Sequence, residues 1–156
     1  MSTAGYRLDE SQRELPFPAT HHVRDTCLCL HVQRAARALA RRFDEALRPL
    51  DVTQGQFSLL TSLNRPEPPN VGSVAALLAM DRTTLTANLK PLERRGLVKI
   101  AVDKDDKRNR RLVITAAGRA LLRKAFPIWQ KTHAETEKSL HGITPDALRA
   151  ALRALA

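Results

Sequence analysis

Two thiols stand one residue apart in the stretch "DTCLCLH": Cys27 and Cys29, with His31 two positions further on. Three chemistries fit this group. A cysteine at the opening of a helix can react with oxidants, because unpaired backbone N–H groups there favour the thiolate. Cys27 and His31, four apart, share a helix face and could begin a metal site, with His21 and His22 nearby. No second closely spaced Cys/His pair follows to complete the ligand set. The third is plain packing, two small apolar-like side chains near a helix interface. Residues at one-residue separation on a helix point to different faces, so Cys27 and Cys29 would pair poorly in place. The expectation is no metal and no cofactor, with Cys29 and Cys27 as the redox candidates.

A second constellation lies in "DKDDKRNRRLVIT", residues 103–115. Asp106 and Arg108 can pair across a loop, which would limit the arginine's rotamers. An arginine at a hairpin tip suits a narrow DNA minor groove, where negative potential is concentrated. Lys104, Lys107, Arg110 and Arg111 would then lie within reach of phosphates. Just upstream, "DRTTLTANLKPLERRG" reads as a helix from Arg82 to Arg95 with Leu85, Leu89 and Leu92 inward. Arg82, Thr83, Thr84, Thr86, Asn88 and Lys90 are the side chains left to meet a duplex. Small hydroxyl residues allow close approach to the major groove, and Asn88 is the candidate for a bidentate adenine contact. Pro91 removes the bond to the Ala87 carbonyl and should bend the second half.

The charge agrees with these two segments. Of the net charge of +10, nearly all falls between Arg82 and Lys124, where thirteen Lys or Arg face four acids. A basic surplus confined to one segment is the footprint of a polyanion binder. A winged-helix protein-interaction module would not concentrate it there. A non-specific basic nucleic-acid binder would, but without sequence preference. No Gly-rich phosphate loop, GxSxG, HExxH or pair of acids on one helix face is present, so the chain is not expected to be an enzyme. No run reaches the length of a membrane span and the first 25 residues lack an apolar core, so a reducing cytoplasm is expected.

Residues 1–22 are polar and proline-punctuated and read as an N-terminal arm. Thr26 to Leu50 has an apolar residue at three- and four-residue steps and reads as one long helix. Thr53 and Gln56 form a capping box for the next helix, "QGQFSLLTSL". After "NRPEPPN", Asn70 caps a short helix, Asp81 caps the Arg82–Arg95 helix, and Gly96 ends it. "LVKIAV" and "RRLVIT" make a hairpin around the charged loop. Thr115 starts another long helix, and Thr144-Pro145 starts the last one. The fold expected is mostly α with a small β-hairpin wing. The domain covers 23–156, its winged helix-turn-helix lies at 53–115, and long helices at 26–50 and 116–156 flank it.

The segment "VGSVAALLAMDRTTLTANLKPLERRGLV" followed by "DKDDKRNRRLVIT" resembles the MarR family of bacterial transcriptional regulators. The residues that carry the likeness are Asp106-Lys107-Arg108, Leu112 to Thr115, and "LERRGLV", and it extends over residues 26–156. The resemblance implies that Arg108 enters the minor groove while Asp106 holds its guanidinium. It implies that the long flanking helices form a homodimer and that double-stranded DNA with a pseudo-palindromic operator is the partner. It further implies a repressor released by a small molecule or an oxidant. The effector would be an aromatic or phenolic acid in a pocket between the dimer helices and the winged helix, with Arg41, Arg42 or His31 as anchors. Cys29 stands where organic-hydroperoxide-sensing members carry their reactive cysteine. Gln33 and Phe43 replace the tyrosines those members use, and Ala87 stands where the family often has a basic residue.

Overall fold

The computed structural model describes residues 15–104 and 106–155. The chain divides into two compact units, Met1–Leu39 and Ala40–Ala156.

In the first unit, helix α1 runs Phe17–Thr26 and helix α2 begins at Leu28, continuing to Leu47. The arm expected at 1–22 lies mostly outside the described residues, and its last part is helical. The prolines explain the difference. Pro16 occupies the N-cap and Pro18 the second helical position, where a missing N–H costs nothing. The single helix expected over 26–50 is also divided. Cys27 has ψ 106°, which breaks the α-helical path, and its N–H closes α1 onto the Val23 carbonyl at 2.9 Å. At the other end Pro49 supplies no N–H, and the chain leaves α2 through a 3-10 turn, Arg48–Leu50.

The second unit continues with α3 (Gln54–Leu63), α4 (Val71–Leu77), α5 (Arg82–Arg94), strands β1 (Val98–Val102) and β2 (Arg110–Ile114), α6 (Ala116–Lys138) and α7 (Pro145–Leu155). The caps read from sequence are in place. Thr53 and Gln56 form the reciprocal capping box, and Asn70, Asp81 and Thr115 each accept the N–H three residues on. Leu59, Leu60 and Leu63 of α3 pack with Val74, with Leu85, Leu89 and Leu92 of α5, and with Leu97, Val98, Leu112 and Ile114 of the hairpin. That cluster seats α5 and the hairpin on one core. A smaller cluster joins Leu47, Val52 and Phe57 to Ala125 of α6.

The hairpin is antiparallel, with Val98 opposite Ile114 and Val102 opposite Arg110. The proline-rich connection after α3 is more than a spacer. Asn70 bridges to Arg111, and the Leu112 N–H donates to the Pro69 carbonyl at 2.9 Å, so the loop flanks β2. At the start of α6, Gly118 lies so close to the Leu97 carbonyl that a Cβ would overlap it, which explains why glycine stands there. Gly96 adopts φ 68° and supplies the left-handed residue that ends α5.

Candidate nucleic-acid interface

The outer face of α5 follows from its buried one. With Leu85, Leu89 and Leu92 turned inward, Arg82, Thr83, Thr86 and Lys90 are exposed along one side. Together with Ala87 they line a shallow groove. Each hydroxyl has its own use. Thr84 donates its O–H to Asp81 at 2.6 Å while its N–H meets the other carboxylate oxygen at 2.8 Å, so Thr84 serves the cap. Those bonds hold the Asp81 carboxyl below its ordinary pKa, the Thr84 hydroxyl first and its N–H second. Thr86 donates back to the Arg82 carbonyl at 2.7 Å, which fixes its rotamer and leaves the oxygen able to accept. Arg82 reaches across to Gly72 of α4.

Asn88, expected from sequence to contact a base, sits apart from the exposed row. It is half-buried beside the leucine stripe, and its amide nitrogen lies 3.8 Å from the Met80 sulfur. Its position three residues after Leu85 puts it on the edge of the inward face. Helix α5 continues through Pro91 as one element, so the proline thins its hydrogen-bond ladder without ending it.

At the wing tip, Lys107, Arg108 and Arg110 are exposed, Arg108 to 96% of its side chain. Asp106 holds Arg108 mainly through the backbone: it accepts the Arg108 N–H at 3.0 Å and the Asn109 amide at 3.3 Å. Its contact with the guanidinium itself is long, 3.9 Å. The turn is thus shaped while the guanidinium is left extended. Arg111 does not reach outward as expected. It donates from Nε to buried Asp103 at 2.6 Å and from Nη1 to the Pro68 carbonyl at 3.1 Å, tying the wing's base to the proline-rich loop. The signal was available in the register: Arg111 stands opposite Ala101, so Asp103 lies diagonally across the hairpin on the same face, within reach of a long side chain.

Cys27 is half-buried and Cys29 exposed. It is Cys27 whose sulfur faces the start of α2, 3.5 Å from the Leu30 N–H, whereas Cys29 meets the Gln33 amide at 3.3 Å. His31 uses its ring nitrogen on the Asp25 carbonyl at 3.1 Å. Among the described residues no three His, Cys, Asp or Glu side chains gather as a metal site.

A cavity of about 480 Å³ opens between α3 and α6, lined by Phe57, Leu122, Phe126 and Pro127 with Asn64, Arg119 and Arg123 among its polar groups. Trp129 stacks on Phe57 and on His133 nearby, at ring distances of 6.1 and 4.7 Å. Arg119 is partly committed to the Ile114 carbonyl at 3.0 Å. Of the anchors expected from sequence, Arg42 bonds Thr136 at 3.2 Å.

A helix-turn-helix seated on the same core as a basic hairpin defines a winged helix-turn-helix protein. The MarR family model matches residues 52–109. The transcriptional regulator MosR of M. tuberculosis, solved in complex with DNA, is 38% identical, with a TM-score of 0.73 over 81% of this chain and 92% of MosR. The HTH-type transcriptional regulator TtmR of Methylorubrum extorquens is 33% identical over 132 residues, 85% of this chain. The transcriptional repressor CouR, solved bound to a 23-mer DNA duplex, is 28% identical with a TM-score of 0.69 over 91% of this chain and 96% of CouR. CouR from Rhodococcus jostii has also been solved with p-coumaroyl-CoA. The chain spans 62–65% of the length of the curated relatives it matches, TtmR among them. The chain belongs to the MarR family of transcriptional regulators. No helix among the described residues is long and apolar enough to cross a membrane.

Proposed function

We propose that this regulator is a homodimeric, sequence-specific repressor that binds a pseudo-palindromic operator in the cytoplasm. One arrangement supports it above the others: the exposed row Arg82, Thr83, Thr86 and Lys90 on α5 shares a rigid core with a wing whose tip offers Lys107, Arg108 and Arg110. The helix presents hydroxyls and cations to a major groove, and the hairpin carries an exposed guanidinium, only loosely paired with Asp106, toward a neighbouring minor groove. Thr84 contributes through the cap, and Asn88 lies half-buried at the edge of this row with its amide nitrogen toward Met80. DNA-bound MosR and CouR support the same use of the fold.

Selection from a randomised duplex pool tests this. Two inverted half-sites about one helical turn apart are expected. A non-specific basic binder would enrich nothing over non-cognate competitor at physiological salt. A protein-interaction module would retain no duplex at all.

Release by an aromatic acid is supported by the α3–α6 cavity, where aromatic and aliphatic walls meet two arginines. CouR, solved with p-coumaroyl-CoA, takes the CoA thioester of such an acid, which supports the aromatic part of this reading. Titrating phenolic and benzoic acids into a preformed protein–duplex complex, with Arg123→Ala beside the parent, checks it. Dissociation in the parent and not in the variant is expected. Ligand-insensitive complexes would move attention to Cys27 and Cys29.

A further inference from the structure

Helix α5 is held differently at its two ends. Asp81 caps its start. At its finish the Arg95, Gly96 and Leu97 N–H groups close onto the Pro91, Glu93 and Leu92 carbonyls at 3.1, 2.9 and 2.9 Å. Between these ends Pro91 offers no N–H, so the Ala87 carbonyl has lost its helical donor. The last turn is joined to the first two by one bond fewer. Where a helix's own ladder is thinned, contacts from outside it decide the direction of the final turn.

Arg95 makes such a contact. Its guanidinium reaches from the C-cap of α5 to the joint between α2 and α3, where Nη1 donates to the Asp51 carbonyl and Nη2 to the Leu50 carbonyl, the latter at 3.4 Å. The Asp51 carboxylate lies 3.8 Å away. Both carbonyls belong to the end of the 3-10 turn, where helical carbonyls run out of partners. Asp51 closes that turn with φ 52°, a left-handed conformation unusual for a residue with a side chain. A planar guanidinium can serve two carbonyls together, whereas an ammonium is a point donor. The arginine spans a groove lined also by Arg41, Asp44 and Arg48 and keeps only 32% of its side chain exposed.

We propose that Arg95 is a positioning residue for DNA recognition: it fastens the last turn of α5 to the α2–α3 joint and so sets the angle at which Arg82, Thr83, Thr86 and Lys90 meet a duplex. The inference rests on the DNA-binding role proposed above. It requires no contact between Arg95 and DNA.

The test compares the full-length parent with Arg95→Lys, Arg95→Ala and, as a charge control, Arg94→Ala. The probes are the duplex enriched by the parent from a randomised pool and a scrambled duplex of equal length, each titrated over a salt series. Both Arg95 variants are expected to lose affinity for the enriched duplex on the order of tenfold, or about 1.4 kcal/mol. Affinity for the scrambled duplex and the salt slope should stay at the parent's values, and Arg94→Ala should keep the parent's preference. A binding curve for Arg95→Lys that overlays the parent's overturns the proposal, because charge alone would then suffice. So does a salt slope lowered by about one in Arg95→Ala, the mark of a lost phosphate contact. A fall in melting temperature with the enriched-to-scrambled ratio unchanged overturns it too, as a purely structural role. A parent that enriches no duplex overturns the DNA-binding role and the proposal together, which separates that failure from the other three.

Discussion

Arg108 is the residue whose removal should cost DNA binding most directly. Its side chain is almost fully exposed, and the turn beneath it is shaped by Asp106 through the backbone. Arg108→Ala is therefore expected to weaken binding to the enriched duplex by about 1–3 kcal/mol without lowering the melting temperature. Asp106→Ala should act through the same arginine, by loosening the Arg108–Asn109 turn. Fluorescence anisotropy on both, with circular dichroism as the fold control, decides it; parental affinity in Arg108→Ala would remove the wing from the interface. The thiols make a second case at this scale. If Cys29 senses oxidant, stoichiometric organic hydroperoxide releases DNA from the parent and from Cys27→Ser but not from Cys29→Ser. Indifference of all three leaves both as packing residues. The structure adds a reason to read the Cys27→Ser arm closely, since Cys27 has its sulfur at the helix start. Sequence spacing located Arg108 and the exposed α5 row. It could not show that Arg111 turns back to Asp103 or that Asn88 leans on Met80, because both depend on neighbours supplied by other elements.

The elements themselves were legible where a cap wrote their beginning. Thr53, Asn70, Asp81 and Thr115 each mark a helix start by a side chain that satisfies backbone donors, a purely local transaction. Helix α1 was missed because its prolines resemble loop punctuation, although at the first turn they suit a helix. The break at Cys27 carried no warning residue. Gly118 was equally silent in sequence, and it yields a test of how α6 is seated. Gly118→Ala should destabilise the fold by roughly 1–3 kcal/mol, read by chemical denaturation, because a methyl there must displace the Leu97 backbone. At the other end of α6, Arg149 of α7 bonds Glu137 at 2.6 Å and Asp146 at 2.7 Å. The Arg149 hydrogen bond holds the Glu137 carboxyl below its ordinary range. A lowered carboxyl pKa stabilises the fold above the ordinary carboxylate range, and that gain is lost as pH falls from that range through the lowered folded value. The melting-temperature gap between parent and Arg149→Met should accordingly be present at neutral pH and shrink in acid. A gap independent of pH would assign Arg149 to packing alone.

A single copy of this molecule leaves several apolar faces in water. Leu28, Val32 and Leu39 are exposed along α2, and α7 buries none of its residues, with Leu152 and Leu155 exposed to 43% and 64%. Both helices were expected from sequence to dimerise, and a dimer interface would cover stripes of this kind. Leu152→Glu is expected to shift sedimentation at micromolar concentration from dimer to monomer; a parent that already sediments as a monomer would remove the two-fold operator as well. Ala79, at the turn between α4 and α5, has φ 50°, where a methyl-bearing residue sits less comfortably than glycine. Ala79→Gly relieves that strain while making the unfolded chain more flexible. The net effect should be a gain of up to about 1 kcal/mol, or on the order of 2–4 °C in melting temperature. The α4–α5 turn thus holds a stabilising step one substitution away, and stability gained there would offset losses from destabilising changes elsewhere in the chain.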